Sequence, residues 1–167
     1  MSPGTKEFIT LAKHPLKFRL FLLAKLPSAF FAGLKVREMD AGKAVVSVPF
    51  KWFTKNPFRS TYFACLAMAA EMSTGALAMA MIYKRKPAVS MLVVGLKADY
   101  FKKATGRTWF TCEDGALFRD AIEQSAASGE SVTVTARSTG RNTAGETIAI
   151  FELTWSFKVK TKMPDNI

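Results

Sequence analysis

The 167-residue chain is long enough for one ordinary domain with its own core, and a hydrophobic share of 49% argues against a disordered polymer. Its formal net charge of +11, from 24 Lys and Arg against 13 Asp and Glu, favours an anionic partner: nucleic acid, an anionic membrane surface or a small phosphorylated ligand. The single histidine, His14, argues against a histidine-rich metal site and a Ser-His-Asp triad, and the two cysteines, Cys65 and Cys112, make no disulfide framework.

Residues 5–34 read as helical and basic. Pro15 and Pro27 bound a piece in which Leu16, Leu20 and Leu23 share a face with Phe21 beside it, and Lys17, Arg19 and Lys25 decorate the rest. Two uses are open for segment 1–32: a helix packed on the domain's own surface, or an interfacial membrane-binding helix. The apolar piece Leu20–Ala24 is short, Lys25 ends it and Glu7 lies upstream, which does not fit a secretory leader. A cytoplasmic protein is expected.

Residues 35–50 predict two strands joined at the turn Asp40–Gly42, with Ala44, Val46, Val48 and Phe50 on one face. The loop KWFTKNP comes next, and then the run Tyr62–Tyr83, in which Glu71 is the one charge. Alanine, leucine and methionine make this a helix, and Ser60 or Thr61 can cap its start. A helix apolar on every face is a membrane span or a helix buried on all sides. The predominance of Ala over Leu, with a carboxylate near the middle, favours burial inside a sheet. Lys84, Arg85 and Lys86 suit the helix's negative C-terminal end.

From Val89 the chain turns to β structure. Val89–Phe101 predicts a long strand and Arg107–Glu113 its partner. Asp114 can cap a short amphipathic helix reaching Ala127, and Val132, Val134 and Ala136 open another strand. After the turn Asn142–Gly145, the last strand carries an apolar row, Ala149, Phe151, Leu153, Trp155, Phe157 and Val159, opposite a polar one. Residues 161–167 read as a loose tail. The expected fold is α+β: one curved antiparallel sheet around one long central helix. The expected domain spans residues 33–160, with a second copy covering what the sheet leaves open.

That order, and the central stretch itself, resembles the hotdog fold, and more narrowly the acyl-CoA thioesterases of the PaaI type, including hotdog proteins of unassigned function. The family motif runs asparagine, a short loop, His-Gly-Gly or His-Ala-Gly, a helix, an acid, and a glycine one turn on. Asn56 stands at the asparagine, Glu71 at the acid and Gly75 at the last glycine. Tyr62, Phe63 and Ala64 replace the histidine and the two glycines. The resemblance implies hydrolysis of acyl-CoA to free acid and CoA, with Glu71 as general base or nucleophile and the helix-start amides of Phe63 and Ala64 as the oxyanion hole. It places Asn56 beside water or the carbonyl, Tyr62 beside the substrate, and Ser90 where some members supply a hydroxyl from a partner chain. The missing histidine argues against the hydratase branches of the fold.

The residues support part of this chemistry directly. A lone carboxylate in an apolar helix has its charged form disfavoured, which raises its pKa toward a useful base. Glu71 lies roughly two and a half turns beyond the Tyr62–Phe63 amides, too far to share a carbonyl with them in one subunit. Side-by-side antiparallel helices in a homodimer, or a dimer of dimers, would bring the halves together. The other reading of Glu71 is a carboxylate held by a structural hydrogen bond or salt bridge. Lys97, Lys102, Lys103 and Arg107 form a set suited to the phosphates of coenzyme A, which enters only as part of the substrate. No cofactor, metal or nucleic acid is expected. A non-catalytic acyl-CoA- or lipid-binding hotdog protein is the alternative, prompted by Tyr62 and Phe63.

Overall fold

The computed structural model describes residues 1–160. Three proline-initiated helices open the chain: α1 (Pro3–Lys13), α2 (Pro15–Lys25) and α3 (Pro27–Ala32). Proline suits each first turn, where its missing N–H would have no partner anyway. The Ser2 hydroxyl accepts from the Thr5 N–H at 3.1 Å to cap α1. Gly33 closes α3 at φ 78°, a left-handed stop that glycine adopts without strain. The leucine face of α2 read from the sequence is not the packed one. Phe18 and Leu22 are buried, whereas Leu16, Leu20 and Leu23 face solvent.

Two short strands, β1 (Lys35–Met39) and β2 (Ala44–Val48), form the expected hairpin. Asp40 fixes its turn by accepting from the N–H groups of Gly42 and Lys43 at 2.7 and 2.8 Å. Every residue of β2 is buried, including Val45 and Ser47 on the expected outer face, and the Ser47 hydroxyl accepts from Arg37 Nε at 2.8 Å. The central helix α4 spans Phe63–Ile82. It is long and apolar enough to cross a membrane, yet most of it is buried inside the sheet. Its buried hydroxyls are satisfied: Ser73 Oγ donates to the Ala70 carbonyl at 2.8 Å and bonds Ser138 Oγ at 2.7 Å. Beyond its C-terminus, Lys84 pairs with Glu7 at 2.5 Å and Arg85 with Glu123 at 2.7 Å, tying α4 to the helices on either side.

The rest is β3 (Val89–Tyr100), β4 (Thr108–Cys112), α5 (Gly115–Ser128), β5 (Val132–Arg141) and β6 (Thr147–Val159). All six strands form one antiparallel sheet in the order β1-β2-β4-β5-β6-β3. This corrects one expectation: β3 and β4 are not partners. β3 pairs along its length with β6 and forms an edge, while β4 inserts between β2 and β5. The long β6 carries Phe151, Leu153, Trp155 and Phe157 inward, as its two-sided pattern predicts. Cys65 and Cys112 are both free and buried. The tail 161–167 lies outside the described residues.

Candidate functional site

The start of α4 lies in a cavity of about 810 Å³. Asn56, Tyr62, Phe63, Lys102 and Lys103 all line it, so five of the residues singled out from the sequence meet there. Local chemistry explains the arrangement. Asn56 Oδ1 accepts from the N–H groups of Phe58 and Ser60 at 3.0 and 3.1 Å, and from the Ser60 hydroxyl at 3.2 Å. Its carbonyl oxygen is therefore committed to the turn. Only its NH₂ group remains as a donor for a ligand.

The expected cap of α4 is corrected as well. Ser60 points back to Asn56, and Thr61 donates its hydroxyl to the Ala104 carbonyl at 3.1 Å. The helix instead begins after Tyr62 with no side-chain cap. Its first amides, those of Phe63 and Ala64, thus keep no carbonyl partner within the helix and meet its positive end. The Tyr62 and Phe63 rings stand edge to face, 4.9 Å apart, at this mouth, and both are exposed.

Glu71 is in a different place. It lies eight residues further along α4, about 12 Å at 1.5 Å per residue. A separate cavity of about 200 Å³ receives it, walled by Phe18, Leu22, Met72, Met91 and Trp155 among other apolar groups. Among the described residues the carboxylate makes no ion pair and no side-chain hydrogen bond. Burial raises its pKa above the ordinary carboxylate value. Its wall is held in position: Trp155 Nε1 donates to Thr74 Oγ1 at 3.0 Å, and that hydroxyl donates to the Glu71 backbone carbonyl at 3.0 Å. Phe18, Leu22 and Trp155 escaped the sequence reading of the site, because nothing local in the sequence marks a residue as the wall of a distant carboxylate.

The expected cation set does not assemble in one chain. Lys102 and Lys103 line the first cavity, and Lys102 is paired with Glu146. Lys97 stands on the β3 edge beside Asp99 at 3.4 Å. Arg107 faces another depression, with Arg19, Lys35 and Lys51. The β3–β4 hairpin expected to unite them does not form. Ser90 is exposed on β3 and donates its hydroxyl to the Lys158 carbonyl at 3.0 Å. No group of three His, Cys, Asp or Glu side chains able to hold a metal occurs among the described residues.

Comparison with known proteins places this geometry in context. A Pseudomonas aeruginosa protein of unknown function, PA5026, described as a probable thioesterase, superposes with a TM-score of 0.75 at 16% identity over 96% of this chain and 99% of its own. The thioesterase SAV0944 of Staphylococcus aureus gives 0.63 at 18% identity, over 79% and 98%. PaaI of the Escherichia coli phenylacetic acid degradation operon gives 0.64 at 14%, over 92% and 96%. No curated protein sequence matches. The model of the Domain of unknown function family DUF4442 matches residues 16–157. This chain is therefore a hotdog-fold protein and belongs to the DUF4442 family.

Proposed function

We propose that the protein is an acyl-CoA thioesterase working as a dimer. The observation that carries this reading is Glu71: a carboxylate without a partner among the described residues, raised by burial and facing an apolar cavity on α4. A carboxylate kept for structure would be expected to hold a hydrogen bond or an ion pair, and Glu71 makes neither with its side chain among the described residues. In the proposed reaction Glu71 removes a proton from water as the oxygen attacks the thioester carbonyl. The Phe63 and Ala64 amides of the second copy take up the oxyanion. The C–S bond then breaks, the thiolate recovers the proton from Glu71, and free acid and CoA leave. The apolar cavity beside Glu71 takes the acyl chain, and Lys103 and the Asn56 amide lie on the CoA side.

The second copy is argued from β3. One backbone edge of this strand has no partner among the described residues, and beside it Leu96, which shares the inward face with Leu153 across the β3–β6 pair, is exposed. Edge-to-edge pairing would join the two sheets and bring two α4 helices side by side, with the second copy packing over Leu96. Turnover of a panel of acyl-CoAs by the wild type and Glu71→Gln tests the reading. Hydrolysis lost in the variant supports it; an inactive wild type that still binds acyl-CoA would favour a non-catalytic acyl-binding protein. The Tyr62–Phe63 ring pair, standing where the family has His-Gly, is the observation behind that second reading.

A further inference from the structure

On a helix packed against a domain, the outer side is normally polar. On α2 it is not. Phe18 and Leu22 point inward, and the opposite side presents Leu16, Leu20 and Leu23, with Leu20 65% exposed. The apolar surface continues past this helix. Arg19 sits over the Phe30 ring at 4.2 Å, Phe30 meets Phe31 at 5.3 Å, Phe31 meets Phe53 at 6.4 Å, and Phe53 meets Trp52 at 6.4 Å. Trp52, at the tip of its short turn, is 86% exposed. Cations rim this surface: Lys17, Arg19, Lys25, Lys35 and Lys51, none in an ion pair among the described residues. Residues 8–37 contain no aspartate or glutamate, and neither do residues 41–70.

We infer that this face docks on a membrane surface bearing anionic lipid headgroups. Leucines, phenylalanines and a tryptophan would enter the boundary between headgroups and acyl chains, about 5–10 Å deep. The rim of lysines and arginines would meet the lipid phosphates. Tryptophan favours that boundary because its ring is apolar and its N–H is polar. The charge chooses this occupant over a second copy: face-to-face self-association would oppose two basic rims with no acid between them. The same helix walls the Glu71 cavity on its inner side through Phe18 and Leu22. Docking would hold that cavity about one helix diameter, roughly 10 Å, from the lipid.

Flotation of the full chain with vesicles tests this. We expect binding to mixed phosphatidylglycerol–phosphatidylcholine vesicles at low salt, at least ten-fold weaker binding to pure phosphatidylcholine, and weakening as salt rises. Trp52 fluorescence should shift to the blue on binding, with Trp52→Phe as the control. Leu20→Glu and Trp52→Ala should each weaken binding at least ten-fold, with melting temperatures unchanged because both side chains are exposed. Failure to bind anionic vesicles, or undiminished binding by both variants, overturns the inference. Loss of a larger oligomer in Leu20→Glu, without any vesicle binding by the wild type, would assign the face to a second copy instead. Displacement from vesicles by millimolar inorganic phosphate at constant ionic strength would reduce the surface to a soluble-anion site and also overturn it.

Discussion

Glu71 and Gly75 stand one turn apart on α4, and the carboxylate occupies the space over the glycine: a Cβ on Gly75 would lie 3.0 Å from Glu71 Oε1. The same Cβ would meet the Trp155 ring at 3.1 Å, and that ring is held by its bond to Thr74. Gly75→Ala therefore has to displace the carboxylate. A shift of a few tenths of an ångström in the proposed base would disturb its alignment on the attacking water. We expect Gly75→Ala to fold with a stability loss of about 1–3 kcal/mol and to lose kcat far more than KM changes. Steady-state kinetics beside a thermal melt checks this; an unchanged kcat would separate Gly75 from the chemistry.

Glu71→Gln should lose about 100-fold or more of acyl-CoA hydrolysis, the usual contribution of a general base. Its stability should change in the opposite direction. Burial raises the Glu71 pKa in the folded state, so the native chain holds this proton more tightly than the unfolded one. The associated stability is fully present below the unfolded value of about 4.3 and is lost as pH rises through the raised native value. At neutral pH the carboxyl group is thus a cost to folding, and Glu71→Gln should melt higher than wild type there but not near pH 4. The wild-type rate should rise with pH through a pKa above that of a free glutamate. A lower melting temperature for the variant at neutral pH would point to a hidden structural partner.

The edge strand makes an assembly prediction. Leu96 is exposed on the inward face of β3 beside its unpaired edge, so Leu96→Arg should fold, but the charge should keep a second copy from packing over it. Light scattering should find a monomer, and turnover should fall with it if, as proposed, each site takes amides from the second copy. A fully active monomer would remove the composite site.

Gly140 and Phe110 face each other across β4 and β5, and a Cβ on Gly140 would meet the Phe110 ring at 2.5 Å. Gly140→Ala should destabilise by about 1–3 kcal/mol through overpacking, and Phe110→Leu should recover part of that loss in the double variant. Urea unfolding of the four proteins measures the coupling.

Much of the fold could be read from periodicity. The two-sided β6 and the all-round apolar α4 each demand one environment, and each has it. The unread parts depend on tertiary context. Leu16, Leu20 and Leu23 form as good an apolar stripe as Phe18 and Leu22, so local pattern could not choose the packed side of α2. Consecutive strands suggest a hairpin, but α4 places β3 at the far edge and β4 in the interior. At the candidate site, Glu71 stands out as the one charge in an apolar helix, and Asn56 is marked by the resemblance to the family motif. The commitment of Asn56 Oδ1 to its own turn could not, because it depends on the backbone path through Ser60. The walls of the Glu71 cavity come from separate elements, α2, β3 and β6, and nothing in the sequence brings them together in advance.

The two thiols offer an experimental convenience. Burial raises the pKa of Cys65, and that of Cys112 is pushed up to about 12, so neither carries appreciable thiolate at neutral pH. Alkylating reagents and mild oxidants should leave the native chain unmarked. A cysteine introduced on an exposed position of α2 or β3 would then be the one reactive handle, with no background substitution needed. Spin labels or fluorophores placed there could report lipid depth and subunit distance on an otherwise wild-type protein.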